Sequence, residues 1–207
     1  TRLHADPRHP DSTFVEDTAI LTRRRAILTR PGAASRTGEV AAIRDPLSRF
    51  YEDFAEISGE GTLDGGDVCE IDDRFLIGIS ARTNEEGARQ LARLLEADGH
   101  AACHIEVRGI DGILHLKSGI AYAGSGKVVA IGALAGHPAL RDYEVIIVDP
   151  AGAYAANCGR VNDRLLMAAG YPTLEAALRR GGANVMPLEV SEFQKMDGGL
   201  SCLSLRF

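Results

Sequence analysis

A two-strand unit recurs along this chain and constrains its fold more than any other feature. Each copy has a polar or glycine-rich turn, an apolar strand, a short charged or glycine turn and a second apolar strand; a helix usually follows. The copies begin near residues 11, 64, 114, 155 and 197. Third strands follow near residues 102, 144 and 184. Such ββαβ units, repeated about an axis, predict an α/β ring of small sheets with helices outside.

The last copy, Asp197–Phe207, contains only a glycine turn and one alternating segment, which predicts a strand. Cys202 lies where that turn enters the segment. We therefore expect residues 1–207 to form a single domain, a ring whose last blade is incomplete, with the N-terminal part of the ring absent from this chain. A plain α/β sandwich with accidental similarity between its units is the alternative.

The clearest helix signal is a capping box at Thr83 and Glu86, which makes the threonine the predicted N-cap. Ala88, Leu91 and Leu95 then fall on one face of the predicted helix, and this face would pack on a sheet.

Composition narrows the classes of partner. The net charge of −6 argues against nucleic-acid binding and favours a cationic small-molecule substrate. No apolar run has membrane-spanning length, and no signal peptide opens the chain. The four cysteines form no C-x-x-C pair, so we expect no zinc site and free thiols in a reducing, cytoplasmic setting.

In a ring, the starts of the first strands converge near the axis. Acids, one histidine and one thiol should therefore face a common central hollow: Asp11–Asp17, Asp64–Asp67, His115, Asn157 and Cys202. Cys202 is the candidate nucleophile and His115 the candidate proton shuttle. A thiol is a poor nucleophile until it is ionised, and a nearby cation lowers its pKa. Taken alone, either residue could instead be a packing residue.

The remaining candidates are charged. Two or more carboxylates around a small hollow would hold a guanidinium, whose N–H groups pair bidentately with carboxylate; the candidates are Asp11, Glu16, Asp17, Asp64 and Asp67. Aspartates beside glycine can also serve turn geometry alone. Arg36 and Arg82 each follow a second strand and could clamp a substrate carboxylate, or could simply be solvated.

Several motifs together resemble the dimethylarginine dimethylaminohydrolases of the guanidine-modifying amidinotransferase superfamily. They span nearly the whole chain: PDSTFVEDTA from Pro10, LTRPG from Leu28, GTLDGGDV from Gly61, IGISARTNEEGARQL from Ile77, LHLKSG from Leu114, AANC from Ala155 and DGGLSCLSLRF from Asp197. The resemblance implies a fivefold pseudosymmetric α/β propeller of ββαβ units. It also implies hydrolysis of Nω-methylated arginine to citrulline and a methylamine, with no metal or organic cofactor.

The resemblance also implies roles for individual residues. Cys202 matches the nucleophile, His115 the general acid and base, and Asp64 the active-site acid, which is glutamate in some relatives. Asp17 matches the carboxylate that grips the guanidinium. The other matches are substrate-binding: Asp11 and Glu16 in the same motif as Asp17, and Arg36 and Arg82 at the substrate carboxylate.

Two other functions stay open on the residues alone. One is an arginine deiminase or amidinotransferase of the same superfamily, and the other is a non-catalytic propeller that binds arginine-like ligands. A homodimer is compatible with all of them.

Overall fold

Four three-stranded sheets, each built from one ββαβ unit, make up the β-structure. The computed structural model describes residues 2–207. In each sheet the first two strands are antiparallel and the second and third are parallel, joined by a crossover. The strands are β1 Ala19–Leu21, β2 Ala26–Leu28, β3 Phe54–Glu56, β4 Val68–Ile71, β5 Arg74–Ile79, β6 Ala101–Glu106, β7 Ile120–Gly124, β8 Lys127–Ile131, β9 Glu144–Val148, β10 Gly159–Val161, β11 Arg164–Ala168 and β12 Asn184–Leu188.

The helices are α1 Glu39–Leu47, α2 Glu85–Ala97, α3 Gly132–Ala135, α4 Pro172–Arg180 and α5 Ser191–Gln194. Helices α1 to α4 lie in the crossovers between second and third strands, and α5 follows the last strand. Ala88, Leu91 and Leu95 of α2 are buried against the second sheet, as the sequence predicts. The predicted N-cap is wrong by one residue: Asn84 caps α2, and its Oδ1 accepts a hydrogen bond of 2.8 Å from the Gly87 amide. Thr83 is instead buried, because Asp67 engages its hydroxyl.

A short 3₁₀ turn precedes each first strand, and its equivalent recurs once more near the C-terminus. We call these segments the axial turns: Val15–Thr18, Gly65–Asp67, Leu116–Ser118, Pro150–Ala156 and Ser201–Leu203. The first turn contacts both the second and the last, the second contacts the third, and the third contacts the fourth. Four sheets and five axial turns agree with a pseudo-fivefold α/β propeller.

The predicted strand after Cys202 is wrong. Ser201–Leu203 form a 3₁₀ turn, and Ser204 continues in an extended conformation that pairs with no strand among residues 2–207. An extended segment needs a neighbouring strand to satisfy its backbone groups in a sheet, so the alternation of Leu203, Leu205 and Phe207 was not sufficient.

The hydrophobic core lies between the sheets and the helices that cover them. The largest cluster joins the third and fourth sheets, and includes Leu116, Ile120, Val129, Met167 and Leu178. Separate clusters lie under α2 and under α1. Among residues 2–207, no helix combines the length and the apolar character needed to cross a bilayer.

Candidate active site

Polar side chains link the axial turns to one another. The Gly66 amide donates to Asp17 Oδ1 at 2.8 Å, which joins the second turn to the first. The Leu116 amide donates to Asp67 Oδ1 at 2.9 Å, which joins the third to the second. These bonds hold the entrances of successive first strands together, so residues distant in sequence share one site.

His115 and Asp64 form the centre of that site. His115 Nε2 lies 3.0 Å from Asp64 Oδ2, and the other oxygen of Asp64 accepts a hydrogen bond of 2.8 Å from the Gly32 amide. Asp64 is fully buried and His115 is 7% exposed. Burial acts to lower the pKa of His115, but the hydrogen bond to Asp64 and the charges of Asp17 and Asp67 outweigh it and raise that pKa above its usual value. The imidazole is therefore held ready to carry a proton.

The two glycines between Asp64 and Asp67 make this approach possible. A Cβ on Gly66 would lie 2.8 Å from His115 Nδ1, and one on Gly65 would lie 2.0 Å from the carbonyl oxygen of Glu16. The motif DGGD therefore packs its backbone directly against the histidine and the first axial turn.

Asp17 brings a second carboxylate to this pair, and we call the space between Asp17, Asp64 and His115 the hollow. It is 2% exposed, and one ligand atom from each of Asp17, Asp64 and His115 lies within 4.8 Å of the other two. Two carboxylates and an imidazole at this spacing could hold a planar organic cation or a metal ion.

Cys202 lies half-buried in the last axial turn. Burial, followed by the nearby charges of Glu16 and Asp17, raises the pKa of its thiol to about 12; a hydrogen bond from the Gly199 backbone and the charge of Lys117 act in the opposite direction. The thiol is thus protonated at neutral pH, and a cation beside it would be needed to favour the thiolate.

Glu16 does not reach toward the hollow as we expected of a substrate-binding residue. It is 4% exposed, and its carboxylate meets Lys117 Nζ at 2.6 Å, the Ser201 hydroxyl at 2.7 Å and Arg206 Nη2 at 3.0 Å. Burial alone would raise the pKa of Glu16, but the charges of Lys117 and Arg206 keep it below its usual value. In this structure Glu16 joins the first, third and last axial turns as a buried ion cluster.

Arg36 also differs from its expected position as a clamp for a substrate carboxylate. Its buried guanidinium donates to Asp17 Oδ2 at 2.5 Å, to Glu39 at 2.7 Å and to the Phe14 carbonyl at 3.0 Å. Arg36 also donates a hydrogen bond of 3.2 Å to the backbone carbonyl of Asp11. The half-exposed side chain of Asp11 makes no hydrogen bond or ion pair within residues 2–207. Arg36 therefore lies at the site as the buried ion-pair partner of Asp17 and Glu39.

Arg82 is the arginine that remains available. It is half-exposed, and its guanidinium has no hydrogen bond or ion pair within residues 2–207. Its backbone packs against Gly32, where an added Cβ would lie 2.2 Å from the Arg82 carbonyl oxygen. This contact places Arg82 next to the loop whose amide binds Asp64.

Asp67, one of the acids expected at the hollow, is engaged within the protein: it accepts hydrogen bonds from Ser80 and Thr83 at 2.6 and 2.7 Å, in addition to the Leu116 amide. Two residues of the site were missed in the sequence. Lys117 and Arg206 pair with Glu16 as described above. The sequence did carry a signal for Lys117, which directly follows the apolar Leu116. A cation at such a position needs a partner of opposite charge if it is buried.

A cavity of about 640 Å³ lies on the strand side of the axial turns. It is lined mainly by residues of the first strands, with Glu16, Lys117 and Arg206 where it meets the turns. Asp17, Asp64, His115 and Cys202 do not line it.

Comparisons with known proteins agree with this architecture. Residues 8–144 match the family model for arginine deiminase. The dimethylarginine dimethylaminohydrolase of Pseudomonas aeruginosa is 44% identical over 208 residues, which cover all of this chain and 81% of that protein. The dimethylarginine dimethylaminohydrolase of Streptomyces coelicolor is 35% identical over 206 residues, which cover 99% of this chain and 78% of that protein.

A solved structure of the Pseudomonas aeruginosa protein, a cysteine-to-serine mutant complexed with citrulline, matches with a TM-score of 0.93 at 43% identity, covering 98% of this chain and 78% of that one. Fold and relatives together define an enzyme of the guanidine-modifying amidinotransferase superfamily. Within that class, the chain belongs to the arginine deiminase family and, more narrowly, to its dimethylarginine dimethylaminohydrolases.

Proposed function

We propose that this protein hydrolyses Nω-methylated arginine, either asymmetric dimethylarginine or monomethylarginine, to citrulline and dimethylamine or methylamine. The observation that carries the proposal is the hollow of Asp17, Asp64 and His115, whose ligand atoms lie within 4.8 Å of one another beside the turn that holds Cys202. A guanidinium fits this hollow because it offers a planar fork of N–H donors to two carboxylates.

Binding prepares the reaction. Asp17 and Asp64 hold the guanidinium, and its positive charge lowers the raised pKa of the Cys202 thiol, so that the thiol proton passes to solvent while His115 stays protonated. The thiolate attacks the central guanidine carbon and forms a C–S bond. A tetrahedral adduct results, with the substrate carbon bonded to sulfur and three nitrogens.

His115 then acts twice. Its imidazolium donates a proton to the methylated nitrogen, the C–N bond breaks, and the methylamine leaves behind a thiouronium on Cys202. The imidazole, now neutral, accepts a proton from water as the water oxygen attacks the same carbon. Collapse of this second adduct breaks the C–S bond and releases citrulline, and no metal or organic cofactor is required.

The substrate's other end needs a cation for its carboxylate. Arg82 is proposed for this role, because it is half-exposed and its guanidinium has no partner among residues 2–207. Arg36, which pairs with Asp17 and Glu39, would contribute to the same end only if substrate displaced one of those bonds. Asp11 lies just before the first axial turn and is half-exposed, and we propose that its carboxylate faces the substrate's α-amino group.

The test is citrulline formation by the full-length protein from asymmetric dimethylarginine, monomethylarginine and arginine. We expect citrulline from the methylated substrates, with dimethylamine or methylamine in equal amount, and none after Cys202→Ser. If no citrulline forms from any of the three, the proposal is wrong and the protein is at most a binder of arginine-like ligands.

Arginine deiminase is the second candidate, favoured by the match of residues 8–144 to that family model. It predicts turnover of plain arginine with release of ammonia. A clear preference for arginine over both methylated forms would establish it, and transfer of the amidino group to an added amine would instead indicate an amidinotransferase.

We also retain three broader predictions. Residues 1–207 act as a single catalytic domain, supported by the ring of linked axial turns. The protein works in the cytoplasm, supported by four cysteines that are all free. A homodimer stays a prediction that size measurement in solution would test.

A further inference from the structure

We infer that Asn157 is a positioning residue that fixes the separation between the turn of His115 and the turn of Cys202. The inference rests on the proposed function, in which His115 and Cys202 act on the same substrate. Asn157 follows the fourth axial turn and is 5% exposed. It touches neither the hollow's carboxylates nor the histidine through any hydrogen bond, so its effect must pass through the two turns it joins.

One side of the amide binds the histidine turn. Asn157 Nδ2 donates a hydrogen bond of 2.9 Å to the backbone carbonyl of Lys117. Lys117 lies in the axial turn that begins directly after His115, and the Ser118 amide closes that turn onto the His115 carbonyl at 3.0 Å. A shift of the Lys117 carbonyl would therefore move the backbone from which the imidazole projects.

The other side binds the nucleophile turn. Asn157 Oδ1 accepts a hydrogen bond of 2.7 Å from the backbone amide of Ser201, and Nδ2 donates a second bond of 3.1 Å to the Ser201 hydroxyl. Ser201 directly precedes Cys202. The bridge thus spans the residue adjacent to the thiol and the turn adjacent to the imidazole.

The chemistry of the partners fixes the amide in one orientation. The Ser201 amide can only donate and the Lys117 carbonyl can only accept, so a flipped side chain would lose both bonds. The protein also leaves room for this group. A Cβ on Gly199 would lie 2.5 Å from Asn157 Cγ, so the glycine before the nucleophile turn allows the amide to occupy its place.

No other side chain among residues 2–207 hydrogen-bonds backbone groups of both turns. Glu16 also reaches both, but through the flexible ends of Lys117 and Ser201. Asn157 holds the backbones themselves, and displacement of a reacting group by about 1 Å can reduce turnover by about a hundredfold. The amide is therefore suited to set the distance over which His115 and Cys202 cooperate.

The experiment compares Asn157→Asp and Asn157→Ser with wild type and with Asn162→Asp in the full-length protein. The aspartate keeps the acceptor for Ser201 but loses both donated bonds, and the serine is too short to span the turns. Asn162 is an exposed hairpin residue with a positive φ of 55°, which aspartate tolerates, so it is the matched control.

We expect kcat for methylarginine to fall at least about tenfold in both Asn157 variants, with KM changed less than about threefold. Alkylation of Cys202 by iodoacetamide needs only the thiol, so in Asn157→Ser its rate should stay within about threefold of wild type. Asn162→Asp should match wild type in all three measurements.

Other outcomes overturn the inference. Unchanged kcat in a folded Asn157 variant means that the bridge does not set the reactive separation. A loss of kcat that follows only the folded fraction, measured by near-ultraviolet circular dichroism, means that Asn157 is simply structural. A wild-type protein that makes no citrulline rejects the proposed function instead, so the two failures are distinguishable.

Discussion

Asp64 Oδ2 and His115 Nε2 lie 3.0 Å apart although 51 positions separate the two residues along the chain. The contact joins the second and third ββαβ units at their axial ends. It also sets the protonation of the histidine, because the hydrogen bond and charge of Asp64 help to raise the pKa of His115 against the effect of burial.

Replacing Asp64 with asparagine should therefore lower the pKa of His115. Less imidazolium would then be available to protonate the leaving amine at neutral pH. We expect the limb of the kcat profile that reports protonated His115 to move to lower pH, with a lower kcat at pH 7. Citrulline release measured across the pH range would show this. The exposed Asp111→Asn is a control that should leave the limb in place, and an unmoved limb in Asp64→Asn would contradict the assignment.

The equivalence of strand starts explains why this pair could be anticipated from the sequence. Asp64 and His115 occupy corresponding places in successive copies of the repeat, and a ring brings such places together. What could not be anticipated is which of two adjacent acids faces the hollow. Glu16 and Asp17 are neighbours in one 3₁₀ turn, and only the three-dimensional path of that turn sends Glu16 to Lys117 and Asp17 to the hollow.

Two wrong predictions, the strand after Cys202 and the N-cap at Thr83, have a common cause. The alternation after Cys202 and the box at Thr83 are local patterns, but tertiary structure decides both outcomes: among residues 2–207 no strand pairs with the segment after Cys202, and Asp67 binds the Thr83 hydroxyl. Asp67 engages Thr83, so Asn84 becomes the cap. Arg36 is similar, since its partner Asp17 lies 19 positions away and no spacing in the sequence reveals that pair.

The thiol of Cys202 should react slowly with alkylating agents when no substrate is added. Its pKa is raised to about 12, mainly by burial. Alkylation by neutral iodoacetamide should therefore increase about tenfold per pH unit from pH 7 to about pH 10 without a plateau. Chloroacetamidine, whose cationic end can bind between Asp17 and Asp64, should react disproportionately fast. Cys103 is the other half-buried thiol. Its contribution is measured by labelling Cys202→Ser under the same conditions and is subtracted from the labelling of wild type. A plateau below about pH 8 with iodoacetamide would show an ionised resting thiol, contrary to this expectation.

Removing Arg36 should destabilise the fold. Asp17 and Glu39 are both buried and both depend on its guanidinium. Arg36→Met leaves two buried carboxylates without their cation, and we expect the free energy of unfolding to fall by about 3–5 kcal/mol. Arg89→Met removes an exposed pair with Glu86 on α2 and should change it by less than about 1 kcal/mol. Urea denaturation of the three proteins gives the comparison. Equal, small effects would mean that the Arg36 cluster is not a structural element.

Arg82 should determine how strongly the protein holds the substrate's carboxylate. The guanidinium is half-exposed and not committed to a partner within the described chain, whereas that of Arg36 is buried on Asp17 and Glu39. Charge-assisted hydrogen bonds contribute roughly 2 kcal/mol, so Arg82→Ala should raise KM for a methylarginine about thirtyfold with little change in kcat.

A substrate analogue without the carboxylate separates this role from a general loss of structure. A methylated guanidine built on agmatine presents the same group to Asp17 and Asp64 but nothing to Arg82. Wild type and Arg82→Ala should therefore turn it over with nearly equal kcat/KM. If Arg82→Ala weakens both substrates alike, the arginine supports the loop at Gly32 and not the carboxylate. If it weakens neither, the carboxylate must meet Arg36, which would then have to release Asp17 or Glu39 whenever substrate binds.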